Sequence, residues 1–90
     1  MFQQPGVQLT REQAAVMLAR IAEAAMQPLR AANPDFADLP QISSWAANAV
    51  GQMQDAGIMG GVGDGRFAPR GDYTREQSII TILRLYDILN

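Results

Sequence analysis

The chain contains no cysteine, no histidine and no lysine among its 90 residues. Without cysteine there is neither a thiolate nucleophile nor a disulfide. Without histidine the side chain best suited to proton transfer near neutral pH is missing, and with it the usual zinc and iron ligand sets. No metal site, cofactor or catalytic constellation is therefore expected, and an enzyme is the least favoured reading. Lack of cysteine fits an exported bacterial protein as well as a cytosolic one, so the redox compartment stays open. All seven basic residues are arginine, nine carboxylates outnumber them, and the net charge is −2. Such a balance argues against a phosphate-neutralising surface, and no nucleic-acid partner is expected. No apolar run approaches the roughly 20 residues that span a bilayer. The opening Met-Phe-Gln-Gln-Pro-Gly lacks the basic and apolar regions of a signal peptide, so an export signal, if used, lies outside this chain. Against these absences stand 48% hydrophobic and 18% charged residues, the make-up of a folded chain with one core.

Three segments have helical periodicity. Thr10-Arg11-Glu12-Gln13 has the form of a capping box. Ala14, Met17, Leu18, Ile21, Ala25 and Leu29 follow at spacings of three and four, which predicts a helix over about residues 10 to 31, kinked or ended by Pro28. Residues 33 to 42 read as an ordered loop with Phe36, Leu39 and Ile42 turned inward. A second helix, about 44 to 56, is predicted from a Ser43 or Ser44 cap, a stripe of Trp45, Ala46, Ala49, Val50 and Met53, and a left-handed cap at Gly57. Between Ile58 and Tyr73 five more glycines surround an Asp64-Gly65 turn signal, with Phe67 and Pro69 as anchors. Thr74-Arg75-Glu76-Gln77 then repeats the capping box and opens a third helix, about 74 to 89, striped by Ile79, Ile80, Ile82, Leu83, Tyr86 and Leu89. The five methionines, with Tyr73, Tyr86 and Phe67, are read as core residues. The predicted fold class is all-α: three helices joined by two long ordered loops, with the two Thr-Arg-Glu helices packed on each other.

The two boxes belong to an internal repeat. At the offset 74 − 10 = 64, Leu9 to Ile21 aligns with Tyr73 to Leu85 without a gap; Thr, Arg, Glu, Gln and the later Arg20 and Arg84 coincide. Pro5 and Pro69 share the same offset. This is the pattern of a tandem array, the tail of one repeat followed by a whole one.

In order along the chain come Phe36-Ala37-Asp38, Trp45-Ala46, Gly57-Ile58-Met59-Gly60, Gly63-Asp64-Gly65-Arg66-Phe67-Ala68-Pro69 and Tyr73-Thr74-Arg75-Glu76-Gln77. Taken together these resemble the S-layer homology module. Residues 36 to 89 match a complete module and residues 2 to 26 the closing half of a preceding one, so the single domain divides into 2–32 and 36–89. Two positions depart from the family pattern: Gln77 stands where many relatives carry another small or acidic residue, and Tyr73 replaces an aliphatic. The resemblance implies an extracellular anchor at the cell wall or S-layer of a bacterium. It further implies binding of an acidic secondary cell-wall polysaccharide, commonly one bearing pyruvate ketals, in grooves between tandem modules. Transferred by position, the ligand-binding candidates are Arg11, Arg75, Asp38, Trp45, Gly60 and Gly61. The alternative is a structural module that keeps the fold, binds no glycan and serves in assembly, its partners being neighbouring repeats or a second copy of itself.

The residues leave several roles open. An arginine in the first turn of a helix opposes the macrodipole, and both copies carry one. Arg11 and Arg75 either present a fork to a carboxylate beside free helix amides or pair with aspartates of adjacent loops. Trp45 either stacks on a sugar ring or, as is commoner beside alanines, fills the core, where its role is to support the pocket. Asp38 either accepts sugar hydroxyls or caps a helix or the loop backbone. The Gly61–Gly65 run lacks the ending of a phosphate loop and follows a helix, so no nucleotide site is expected. Asp64 and Asp72 lack the ligand pattern of a calcium loop. With no third repeat helix to close the bundle, the chain is expected to expose an apolar strip or to cover it by self-association.

Overall fold

A computed structural model describes residues 9–90; Pro5 and the rest of the first eight lie outside the described residues. Three helices make the frame: α1 (Arg11–Ala24), α2 (Ser44–Asp55) and α3 (Arg75–Leu89), with a short 3-10 turn at Leu39–Gln41. The all-α expectation holds, with no named strand among the described residues.

α1 packs chiefly on α2, touches α3 more lightly, and α2 and α3 do not meet. The reason lies in side-chain size. One side of α1 carries Ala14, Ala15, Leu18, Ala19 and Ala22, all buried, and this flat surface receives Ala46, Ala49, Val50 and Met53 of α2. Ile58, Met59, Phe67 and Leu85 close the core from the loop and from α3.

α1 starts where the sequence places it. Thr10 accepts from the Gln13 amide and Gln13 accepts from the Thr10 amide, so the capping box is complete. The next two orphan amides, of Arg11 and Glu12, donate to the carbonyls of Gly71 and Pro69. The start of α1 is thereby fixed to the loop that leads into α3. Its end comes seven residues earlier than residue 31. The Met26 amide returns to Glu23 O at 2.9 Å and the Gln27 amide to Ala22 O at 3.0 Å, with Met26 at φ 63°. That is a Schellman ending in which methionine holds the position glycine normally takes. Pro28 favours it, since the residue before a proline avoids the helical region. Ala25, expected on the apolar stripe, is exposed; Met26, expected in the core, is 86% exposed.

From Leu29 to Asp35 the chain runs as an extended strap along α2. Gln52 donates to Leu29 O, and the Gln54 side chain both accepts from the Asp35 amide and donates to its carbonyl. The strap lies so close that a Cβ on Gly51 would fall on Ala32 O and stand 2.9 Å from Pro34 N. A glycine within a helix is thus explained by backbone approach. Gly57, at φ 74°, ends α2 as expected, with the Ile58 amide returning to Met53 O.

Five further expectations are corrected. Ser43 sits at the N-cap of α2 but makes no side-chain cap there. Leu39 and Ile21 are exposed. Trp45 is not in the core: it is 60% exposed, because it precedes the buried face of α2 by one residue. On α3 only Thr81 and Leu85 are buried and Leu89 is half-buried; Ile79, Ile80, Ile82, Leu83 and Tyr86 face outward.

Candidate functional site

The Thr-Arg-Glu triplet of α1 has three separate jobs. Thr10 caps its own helix. Arg11 turns inward under the glycine loop, only 6% exposed. Its Nε donates to Phe67 O at 2.8 Å, Nη1 to Gln77 Oε1 at 2.7 Å and Nη2 to Gly60 O, while the guanidinium carbon stands 4.7 Å from the centre of the Phe67 ring. One planar fork therefore ties α1, the loop and α3 together. Burial lowers the Arg11 pKa from its ordinary value, and Asp38 and Tyr73 partly offset this. Glu12, also buried, accepts from the Ser43 amide and the Ser43 hydroxyl at 2.9 and 2.8 Å. A carboxylate from α1 thus supplies the N-terminal cap of α2, which is why the Ser43 hydroxyl is not used for it.

The loop that Arg11 holds is built from both sides. Asp64 at φ 54° and Gly65 at φ 70° form a tight hairpin closed by Arg66 N to Gly63 O at 3.0 Å, the geometry in which both central residues need positive φ. Asp38, 4% exposed, receives the amides of Phe67 and Ala68 on its two oxygens, each at 2.9 Å. Burial alone would raise the Asp38 pKa, but amide hydrogen bonds from Phe67, Ala68 and Asp38 itself, with the Arg66 guanidinium nearby, hold it below the ordinary value. Phe36 lies on Phe67 with ring centres 5.2 Å apart. The Phe-x-Asp segment is thus the support of the loop, and Asp38 acts on loop backbone.

These contacts leave a cleft of about 180 Å³ between the loop and α3. Arg11, Ile58, Met59, Gly60 and Gly61 line one wall, and Gln77, Ile80, Thr81 and Arg84 the other. Two guanidiniums and no carboxylate border it. Arg84 spends one 3.3 Å hydrogen bond on Ile58 O and is otherwise exposed. Gly61 is needed for close approach, since a Cβ there would stand 2.8 Å from Arg66 O. The volume is below that of a pocket for a drug-sized ligand and suits one terminal group or a single ring.

Of the six candidates, the fold brings Arg11, Gly60 and Gly61 into this cleft, with Asp38 behind its loop. Trp45 and Arg75 lie elsewhere. Trp45 borders a larger open groove of about 600 Å³ on the outer side of α1, with Leu9, Val16, Met17, Arg20 and Ile21. Arg75 is exposed and, among the described residues, its side chain makes no hydrogen bond or ion pair. Arg84 and Gln77 were missed by the sequence reading. The available signal for Arg84 was its coincidence with Arg20 in the repeat, and for Gln77 its place in the second capping box. There Thr74 still accepts from the Gln77 amide, but the Gln77 side chain serves Arg11 instead of its own helix start.

The frame is all-helical, with a glycine-rich loop and an arginine-bordered cleft beside α3. The family model of the S-layer homology domain matches residues 35–77, just under half of the chain. No curated protein matches the chain. S-layer homology domains anchor proteins to the bacterial cell wall and occur in cell-surface proteins of bacteria; the family is one of binding and anchoring. No helix among the described residues is long and apolar enough to cross a membrane.

Proposed function

We propose that this chain anchors its protein non-covalently by taking an acidic substituent of a secondary cell-wall polysaccharide, such as a pyruvate ketal, into the cleft between the glycine loop and α3. The observation that carries this reading is the pair of guanidiniums, Arg11 and Arg84, bordering a cleft with no carboxylate. A carboxylate there meets the fixed charge of Arg11, whose three nitrogens are already bonded to the fold, and an adjustable fork at Arg84. Gly60 and Gly61 leave the backbone bare, so a sugar ring can approach it closely. Asp38 acts by holding the loop, and Arg75 offers the same fork to the loop of a neighbouring module.

Calorimetric titration of the chain with purified secondary cell-wall polysaccharide, native and stripped of pyruvate, tests this. Native polymer is expected to bind, and Arg84→Gln to weaken it at least tenfold without lowering the melting temperature. Arg84 is the better probe than Arg11 because its exposed guanidinium makes only one long hydrogen bond to the fold, at 3.3 Å, where Arg11 makes three. Equal binding of stripped polymer, or none by the folded chain, would overturn the proposal.

A further inference from the structure

Two apolar surfaces have no partner among the described residues. The first is the outward side of α3, where Ile79, Ile82, Leu83 and Tyr86 lie one turn apart and Tyr86 is 63% exposed. The second is the groove on α1 beside Trp45. The repeat relates the first to a buried face of α1. At the offset of 64, Ile79, Ile82, Leu83 and Tyr86 correspond to Ala15, Leu18, Ala19 and Ala22, the face that α1 buries against α2. Alanines there allow close helix packing, whereas the bulky residues of α3 require a wider receiving surface. A groove fits them better than a second flat helix. Ile79, Ile82, Leu83 and Tyr86 are 54%, 48%, 59% and 63% exposed, an apolar strip of the kind that forms the centre of a protein interface.

We infer that α3 of one copy lies in the α1 groove of a second copy, antiparallel to α1, so that copies join head to tail. Charge fixes the direction. Set antiparallel with Glu76 opposite Arg20, α3 brings Arg75 within a turn of Glu23, Ile79 to Met17, and Tyr86 to Leu9 at the Trp45 end of the groove. Arg20, Glu23, Arg75 and Glu76 are all exposed, and none of them is in an ion pair among the described residues. A parallel setting turns the α3 end with Arg75 and Glu76 towards Arg11 and Glu12, which are buried and already bonded. The contact is heterologous: each copy uses its α3 face on one neighbour and its groove on another, so assembly continues until a ring closes or a filament grows. The glycan cleft, on the other side of α3, takes no part.

Sedimentation velocity over a rising concentration series tests this with two surface variants, each checked by circular dichroism for native helix content and melting. Ile82→Glu with Leu83→Glu removes the α3 face; Arg20→Glu with Ile21→Glu removes the groove. Wild type is expected to gain mass with concentration. Each variant alone stays at 9.8 kDa. An equal mixture of the two forms a heterodimer that grows no further, because one intact face meets one intact groove. Arg20→Glu alone weakens association severalfold, and adding Glu76→Arg restores it. A groove variant that still dimerises alone would show α3 pairing with α3 and overturn the proposal. So would a monomeric wild type up to about 1 mM, which leaves the α3 face to a following module. A mixture that stays monomeric, or a charge swap that restores nothing, likewise contradicts it.

Discussion

Replacing Arg11 with lysine keeps the charge and the aliphatic stem but removes the fork. The guanidinium makes three hydrogen bonds in three directions, to Phe67 O, Gly60 O and Gln77 Oε1. A single ammonium in that space reaches one of them. Two charge-assisted bonds are then lost at about 1.5–3 kcal/mol each, and because the cleft is open, water partly replaces them. The lower bound, about 3 kcal/mol, is the expected loss. A domain of this size holds about 5–15 kcal/mol in all, so Arg11→Lys still folds, with a melting temperature about 12–24 °C lower. Arg75→Lys is the internal control. It changes the same residue in the same motif, but Arg75 is exposed and makes no side-chain contact of this kind, so its effect stays within about 0.5 kcal/mol. Urea and thermal unfolding followed by circular dichroism measure both, with an unchanged urea slope confirming that native compactness is kept. A loss under about 1 kcal/mol for Arg11→Lys, or equal losses for the two variants, would refute the view that Arg11 ties the loop to both helices.

Three other consequences are open to the same assays. Helix propensity alone favours Gly51→Ala by about 1 kcal/mol, but a Cβ there collides with the Ala32 carbonyl of the strap, so the variant is expected to lose at least about 2 kcal/mol; a gain would mean that the strap does not lie against α2. Met26→Gly relieves a left-handed, exposed methionine and is expected to stabilise by about 0.5–1 kcal/mol, and a melting temperature that falls would contradict the Schellman ending of α1. The Asp38 carboxyl has its folded pKa held below the ordinary value, so its stabilisation is complete above about pH 4 and is lost as pH falls through the folded value; Asp38→Asn should flatten the acid limb of stability against pH, and an unchanged limb would exclude Asp38 as its source.

Local signals carried most of the frame. Capping residues and a glycine placed the starts of α1 and α3 and the end of α2 to within a residue, because each acts on backbone groups beside it in sequence. The end of α1 was harder, since the stripe through Ala25 and Leu29 continues past a turn that Met26 takes in a strained conformation. Trp45 and the α3 stripe show a different limit. Periodicity reports which side of a helix is apolar, and not whether that surface meets its own chain, a second copy or a ligand. The site divides in the same way. Thr-Arg-Glu occurs twice with identical letters, yet Arg11 is buried and triply bonded while Arg75 stands in solvent, because its role depends on a loop about fifty residues further along the chain. Gln77 left its capping box for Arg11, and Gly51 reads as a helix flaw until the strap is seen beside it.

The most direct test of the cleft is to record amide and arginine side-chain NMR spectra of the labelled chain while adding a small sugar that bears a pyruvate ketal. Shifts centred on Gly60, Gly61, Gln77 and the Arg84 guanidinium, absent with the unsubstituted sugar, are the predicted result. Shifts centred on the Trp45 indole and Arg20, or the same shifts with and without pyruvate, would contradict it.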